Sequence, residues 1–305
     1  MTKSIIAQVG GTNTKVGKLL VNRLLPSRMV AAVGPFVFLD HVYPTRFEGQ
    51  VPKAPTGETA HPHRGIATFT YVLSGAIEHY DSAGHHGVVA AGGAQWMKAG
   101  WGVLHDENPS LGFQASGGVL HALQFWINLP ARHKAEAPDY LPLQPTAVPE
   151  VLLPEAAGSL RVLLGALGDA VSPVPASSPQ FLYHLQLNPK ATFSLTTKVG
   201  LDYAAFVPAE SVRINGQPYG QSELVLFGPE IGPITFTNPS IEMVSVLLFG
   251  GEPYTEPVVA QGPFVMNSHA EIATAYEEFF AGGYGQIHYE VVTSPQDLST
   301  RITLL

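Results

Sequence analysis

The sequence predicts an all-β protein that folds as two antiparallel barrels and carries one short helix near its C-terminus. Charged residues make up only 13% of the 305 residues, whereas the chain holds 31 Gly and 26 Pro, a composition that favours many short strands joined by tight turns. Apolar runs of strand length recur between these glycines and prolines. The same texture occurs twice along the chain, which indicates a duplicated barrel.

The strands of the first block follow one another from Thr68 onward. The segment TFTYVL is followed by a turn at Ser74-Gly75, and then by AIEHY, the polar loop DSAGHHG and VVA. After Gly92-Gly93 come AQWM, the turn KAGWG and VLHDE. Strands interrupted every few residues by glycine favour an antiparallel barrel or sandwich over βαβ units.

The second block repeats this pattern without its histidines. Its apolar runs, separated by glycine or proline turns, are DYAAFVP, AESVRING, QSELVLFG, ITFTN and IEMVSVLLFGG. Between the blocks, the segment from Pro130 to about Pro149 is rich in Pro and Ala and has no clear period, which is typical of a linker. We therefore expect an N-terminal domain over residues 1–135 and a C-terminal domain over residues 145–305.

One helix is predicted near the C-terminus, within the second domain. Ser268 and Glu271 form a capping-box pattern, and Gly282-Gly283 is expected to end the helix. The residues that share its apolar face are Ile272, Tyr276, Phe279 and Phe280. We expect this face to pack against a barrel.

Composition excludes several classes of function. The net charge is −8 and no segment concentrates Lys or Arg, so direct nucleic-acid binding is not expected. Without cysteine, a metal can be held only by His, Asp or Glu. The early break in the N-terminal apolar run and the absence of an 18-residue apolar segment predict a soluble, cytoplasmic protein with no membrane partner.

The histidines cluster in the first block, where nine of the twelve lie between His41 and His133. His61 and His63 are two residues apart, so both imidazoles project from one face of an extended strand. His105 and Glu107 have the same spacing. Pro62 is compatible with this arrangement if its segment is an edge strand or the start of a strand.

Together the two pairs supply three imidazole nitrogens and one carboxylate, a complete set of four metal ligands. Such a set leaves one or two positions open on a five- or six-coordinate ion, which suggests chemistry at the site. It suits Fe(II), Mn, Co, Ni or Cu better than Ca or Mg. Zinc is also compatible, for a hydrolytic or structural role. The alternative is that these histidines are ordinary hydrogen-bonded structural or surface residues.

Other histidines of the block are given no ligand role. We expect His85 and His86 to lie in a solvated loop. His79 and Asp81 are interpreted as a surface pair at a strand end, with a position behind the metal ligands as the alternative.

The sequence resembles the pirin family of bicupins. The resemblance covers nearly the whole chain, through VGPFVFLDH at 33–41, HPHRG at 61–65, YVLSGAIEHYDSAG at 71–84, GGAQWMKAGWGVLHDE at 92–107, LQFWINLP at 123–130 and GGEPYTEPVVAQGPFVMNS at 250–268. It implies two stacked, jelly-roll-like cupin barrels with one metal in the N-terminal barrel. That metal is usually iron, and the implied ligands are His61, His63, His105 and Glu107. The C-terminal barrel of such proteins generally lacks a metal.

Three positions depart from the family pattern. Ala67 stands where Glu is common, and Trp101 stands where Arg or another polar residue is common. Asp106 replaces a small residue between the last His and Glu. None of the three is a ligand position, so they bear on the shape of the pocket and on the hydrogen bonds around the ligands.

Some pirins are similar to quercetin 2,3-dioxygenases, which open a flavonol ring with O₂ and release carbon monoxide. The resemblance thus implies a small aromatic substrate and O₂ as partners, with Glu107 as the catalytic proton acceptor. We expect Fe(II) as the metal and a monomeric chain.

Two alternatives remain open at this point. Other pirins resemble metal- or redox-dependent regulators, and this chain would then bind a transcription factor or a metabolic enzyme without catalysis. In the other alternative, the chain is a vestigial enzyme whose metal only stabilises the barrel.

Overall fold

The structure is a computed structural model, and it describes residues 2–290. In this part of the chain the strands up to residue 143 are β1 (Ile5–Val9), β2 (Thr12–Val16), β3 (Leu19–Leu25), β4 (Phe36–Phe47), β5 (His61–His63), β6 (Ile66–Ser74), β7 (Ala76–Asp81), β8 (His86–Ala90), β9 (Ala94–Lys98), β10 (Val103–Pro109), β11 (Gly118–Asn128) and β12 (Asp139–Leu143).

The remaining described strands are β13 (Glu150–Leu152), β14 (Gly158–Leu164), β15 (Ala166–Leu167), β16 (Ala170–Val171), β17 (Gln180–Leu187), β18 (Thr192–Thr196), β19 (Asp202–Val207), β20 (Val212–Ile214), β21 (Gln217–Tyr219), β22 (Glu223–Phe227), β23 (Pro233–Thr237), β24 (Val244–Gly251), β25 (Val259–Gln261) and β26 (Phe264–Met266). Two α-helices, α1 (Leu111–Ser116) and α2 (His269–Phe280), complete the regular elements, with 3₁₀ turns at Ala131–His133, Pro145–Ala147 and Pro154–Ala156. The predicted all-β class with a short C-terminal helix is confirmed.

The described chain divides into two compact units. The histidine unit consists of Gly17–Leu20, Val42–Thr146 and the described residues from Thr255 onward, and the companion unit consists of Val21–His41, Ala147–Tyr254 and the chain up to Val16. These units do not coincide with the expected domains 1–135 and 145–305. The N-terminal strands belong to the companion unit, which the second half of the chain mainly forms, and the described residues from Thr255 onward belong to the histidine unit, which the first half mainly forms. Strand β1 pairs with β22 in the companion unit, and α2 packs on β26 in the histidine unit.

The companion unit contains two larger antiparallel sheets, besides the two-stranded sheet of β15 and β16. Their strand orders are β1-β22-β19-β24-β17-β14-β13 and β18-β23-β20-β21. Alternate residues of these strands form one apolar cluster, which includes Val162, Tyr183, Val225 and Phe236. Because successive side chains of a strand point to opposite faces, this alternation gives the unit its core.

The histidine unit is also antiparallel. A four-stranded sheet has the order β5-β10-β7-β8, and a larger sheet contains the run β12-β9-β6-β11-β4, in which the residues of β4 from Val42 onward belong to this unit. Strand β12 lies inside the segment predicted to be a linker and pairs with β9. Within this run β12 lies outermost, beyond β9, where Pro142 removes no hydrogen bond between inner strands.

The helix near the C-terminus is confirmed, together with its predicted ends. Ser268 is the N-cap and accepts from the Glu271 N–H at 3.3 Å, while the Glu271 carboxylate accepts from the Asn267 N–H at 2.9 Å. The helix ends at Phe280, and Gly282 has a positive φ of 79°. In the described part of the chain, no helix has the length and apolar character that crossing a membrane requires.

Gly65, directly after the HPHR segment, lies where a larger side chain would be strained. Its φ is +77°, and a Cβ at this position would lie 2.0 Å from the Val265 carbonyl oxygen. We expect Gly65→Ala to lower the free energy of unfolding by about 2–5 kcal/mol, because left-handed strain adds to overpacking. Urea unfolding of the metal-free protein measures this change.

Gly84→Ala is the matched control, since Gly84 also has a positive φ, of +92°, but a Cβ there would meet nothing within 4 Å. This variant carries the backbone strain without the steric clash. Equal losses of stability in the two variants would contradict the proposed close approach of Val265.

Candidate metal centre

Three histidine side chains converge in the histidine unit. One ring nitrogen from each of His61, His63 and His105 lies within 4.8 Å of the other two. The Nε2 atoms of His61 and His105 are 3.0 Å apart, and the ring centroids of the three imidazoles are separated by 4.4–5.0 Å. The structure thus brings together three of the four side chains whose spacing predicts a shared site.

The pairing of β10 with β5 produces this convergence. His105 lies directly opposite His61, and Val103 lies opposite His63. Residues opposite one another on paired strands project from the same face, so the three imidazoles share one side of the sheet. Strand β5 is an edge strand, as the presence of Pro62 predicts.

Hydrogen bonds to backbone carbonyls orient two of the imidazoles. His61 Nδ1 lies 2.9 Å from the Thr59 oxygen, and His63 Nδ1 lies 3.1 Å from the Pro263 oxygen. Because a carbonyl oxygen can only accept, each Nδ1 carries the proton and each Nε2 presents a lone pair. His63 Nε2 is buried without a hydrogen-bond partner, as a nitrogen reserved for a metal would be.

The electrostatic environment keeps two of the imidazoles neutral. Burial, together with neighbouring His61, lowers the pKa of His63 to about 3. Burial is also the main cause that holds the pKa of His105 well below its ordinary value. Neutral imidazole is the form that binds metals. His61 is exposed, so the cluster opens to solvent on that side.

Glu107 lies beside His105 but belongs to a second group. One ligand atom from each of His79, His105 and Glu107 lies within 4.8 Å of the other two. The Glu107 Oε2 atom is 3.9 Å from His105 Nδ1, which is beyond hydrogen-bond distance. The structure thus brings Glu107 against one histidine of the triad formed by His61, His63 and His105. The role of Glu107 as a fourth ligand remains a prediction.

The carboxylate of Glu107 accepts three hydrogen bonds from the larger sheet. Thr70 Oγ1 donates to Oε1 at 3.0 Å, and Gln124 Nε2 donates to Oε2 at 2.9 Å. Gln95 Nε2 also donates to Oε1. These bonds hold the carboxylate in one orientation.

The interpretation of His79 and Asp81 as a surface pair is wrong, because both are buried. His79 Nε2 lies 3.2 Å from Asp81 Oδ2, and the His79 ring stacks on Tyr140 with a centroid distance of 4.2 Å. Their spacing gives no sign of this burial, because it follows from the pairing of β7 with β10, which places His79 opposite Glu107 and Asp81 opposite His105. His85 and His86 are only partly exposed, and each contacts a carboxylate, that of Asp81 and that of Glu78 respectively.

The three departures from the family pattern have different environments. Ala67 is buried, whereas Trp101 is half exposed, at 52%. Asp106 is buried and accepts hydrogen bonds from the hydroxyls of Thr59 and Tyr289. Because the Thr59 carbonyl orients His61, Asp106 supports the position of His61 from the opposite face of β10.

The fold and the site together define the class of the protein. It is a bicupin, with two cupin domains of which one carries the converging histidines. Residues 18–127 match the pirin family, and residues 182–285 match the pirin C-terminal cupin domain. The chain belongs to the pirin family.

Individual relatives agree with this assignment. The chain is 34% identical to the "Putative quercetin 2,3-dioxygenase" of Pseudomonas aeruginosa, over 84% of this chain and 88% of that protein. It is 32% identical to a pirin-like protein of Caulobacter vibrioides, over 88% of this chain and 90% of that one. It is similar to the crystal structure of a quercetin 2,3-dioxygenase from Acinetobacter baumannii, with a TM-score of 0.86, 29% identity and coverage of 94% of this chain and 100% of that chain.

The geometry predicts the effect of removing one imidazole. His63→Ala deletes the buried, unpartnered Nε2. Replacing a residue that only hydrogen-bonds a metal ligand already lowers metal affinity about 10- to 100-fold. We therefore expect His63→Ala to lower the affinity for Co²⁺ by more than about 100-fold. Isothermal titration of the metal-free protein with CoCl₂ measures this affinity.

His133→Ala serves as the control, because His133 is a partly exposed histidine paired with Glu136, and it belongs to neither ligand group. Its affinity for Co²⁺ should equal that of the wild type. An unchanged affinity in His63→Ala would contradict the three-histidine site.

Proposed function

We propose that this protein is a metal-dependent dioxygenase that opens a flavonol-like aromatic substrate with O₂, in the manner of a quercetin 2,3-dioxygenase. The observation that carries the proposal is the convergence of His61, His63 and His105 beside the Glu107 carboxylate. The names of the relatives from Pseudomonas and Acinetobacter support the same reaction class.

The residues present fit one divalent transition metal. His61, His63 and His105 would hold it through ring nitrogens, and the rings of His61 and His63 are already oriented by backbone carbonyls. Glu107 is the proposed fourth ligand. Nitrogen with carboxylate donors suits Fe(II), which we propose, and also Mn, Co, Ni or Cu, with Zn as a non-redox alternative.

When bound, the metal would act as a Lewis acid and as a template for the substrate oxygen and O₂. Glu107 would accept the proton of the substrate hydroxyl, because its carboxylate is the acceptor next to the triad. Its three hydrogen bonds keep that acceptor in place during the reaction. Trp126 packs edge-on against His63, with ring centroids 4.9 Å apart, and offers an aromatic surface beside the ligands.

Aerobic incubation of the Fe(II)-loaded protein with quercetin tests the proposed reaction. We expect the flavonol absorbance to disappear and carbon monoxide to be released in equal amount. The metal-free protein and the His63→Ala variant are the controls, and neither should turn over. Metal binding without turnover of any flavonol, with Fe, Mn, Co, Ni and Cu each tried, would contradict the dioxygenase proposal.

The role of Glu107 gives a separate prediction. Glu107→Gln keeps the size of the side chain but removes the proton acceptor, and we expect kcat to fall by about 10²–10⁴-fold. The circular dichroism spectrum should stay unchanged, because the amide oxygen can still accept from Thr70 and Gln95, and the Gln124 amide can turn its oxygen toward the new NH₂ group. Initial rates of quercetin loss measure the effect.

Glu78→Gln is the matched control for this variant. Glu78 is a buried glutamate of the same sheet, and its carboxylate contacts His86 and Tyr80 instead of the triad. Its kcat should be close to that of the wild type. Full activity of Glu107→Gln would rule out the proton-accepting role.

A further inference from the structure

A row of three polar side chains crosses the larger sheet opposite Glu107. Thr70 on β6 lies directly opposite Gln95 on β9 and also directly opposite Gln124 on β11. The three residues therefore project from one face of three neighbouring strands. We call this row the amide cradle. Thr70 and Gln95 are buried in a barrel whose core is otherwise mostly apolar.

Every member of the amide cradle donates to the same carboxylate. Thr70 and Gln95 bind Oε1 of Glu107, and Gln124 binds Oε2. A carboxylate can only accept, so both glutamines present their NH₂ groups to it. Three donors from three strands bind its two oxygens, and the cradle thus determines where Glu107 points.

Gln95 is itself oriented by a fourth residue. The Tyr140 hydroxyl donates to Gln95 Oε1 at 3.1 Å. Burial raises the pKa of Tyr140, so the hydroxyl keeps the proton that it donates. The Tyr140 hydroxyl and the Glu107 carboxylate thus hold opposite ends of the Gln95 amide, and loss of the Tyr140 bond would leave the amide held at one end only. The hydrogen bonds from Tyr140 to Gln95 and from Gln95 to Glu107 therefore run in one direction.

The position of Tyr140 is in turn restricted by packing. Its ring stacks on His79 with an interplanar angle of 5°. Gly87 lies opposite His79 on the neighbouring strand, and a Cβ added there would lie 2.6 Å from the Tyr140 oxygen, so only glycine leaves room for the hydroxyl. His79 is held by Asp81. A well-packed stack therefore fixes the hydroxyl that orients Gln95.

We propose that Tyr140 and Gln95 are positioning residues that hold the Glu107 carboxylate beside the three-histidine cluster and so control how firmly the centre retains its metal. The proposal deepens the proposed function and rests on its metal centre. Gln95 contacts the Glu107 carboxylate directly, whereas Tyr140 contacts Gln95. Tyr140 acts only through Gln95, and this order is what an experiment can test.

The experiment uses the full-length protein loaded with Co²⁺, which reports ligand geometry through its visible absorption. The rate of Co²⁺ loss to excess chelator is measured for the wild type, Tyr140→Phe, Gln95→Leu and the double variant. We expect loss to become about 10- to 100-fold faster in each single variant, with a changed absorption spectrum, as changes of outer hydrogen bonds to metal ligands produce.

Since Tyr140 acts through Gln95, the double variant should lose Co²⁺ no faster than Gln95→Leu alone. Effects that multiply in the double variant would overturn the proposed order. If Gln95→Leu does not fold, Tyr140→Phe decides the question alone: wild-type Co²⁺ loss and an unchanged spectrum in that variant would overturn the proposal.

Tyr183→Phe is the matched control, because Tyr183 is a buried tyrosine of the companion unit whose hydroxyl donates to the Ala166 carbonyl at 2.6 Å. It should match the wild type in both readouts. A wild-type protein that binds no Co²⁺ would overturn the metal centre, and this role with it. If Tyr140→Phe binds Co²⁺, turns over quercetin and matches the wild type in both the rate of Co²⁺ loss and the absorption spectrum, only the positioning role is overturned.

Discussion

The antiparallel pairing of β10 between β5 and β7 is the constraint on which the site depends. Its register places His105 opposite His61 and Glu107 opposite His79. A shift of β10 by one residue would move His105 and Glu107 to the face opposite that of His61 and His79. The pairing is therefore well specified, because the opposite face of β10 carries Asp106, which needs its own partners, Thr59 and Tyr289.

A polar layer inside an apolar barrel is the second consequence of this register. Burying imidazoles and a carboxylate is unfavourable unless each is hydrogen-bonded or bound to a metal. The larger sheet meets part of this demand with the amide cradle, and backbone carbonyls meet another part at His61 and His63. The ring nitrogens His63 Nε2, His79 Nδ1 and His105 Nδ1 are buried without a hydrogen-bond partner, and a metal ion held by the three-histidine cluster would satisfy that of His63.

The two compact units are not consecutive halves of the chain. Strand β1 adds to a sheet formed by residues far along the sequence, and α2 covers β25 and β26 in the unit that holds the histidines. Local patterns cannot reveal this exchange, because an amphipathic helix or an edge strand shows that it has an apolar face but not which sheet will cover it. The same limit explains why a segment rich in proline looked like a linker although it supplies β12.

The sequence by itself determined the all-β class, the two blocks of strands, the capped helix after Ser268 and the convergence of His61, His63 and His105. These features depend on periods of two or on local capping, which neighbouring residues encode. Only the tertiary structure decided that His79 and Asp81 are buried, that Glu107 rests against His105 in a cradle of Thr70, Gln95 and Gln124, and that Tyr140 orients Gln95. Those contacts join strands that are distant along the chain, so their register, and not their composition, creates them.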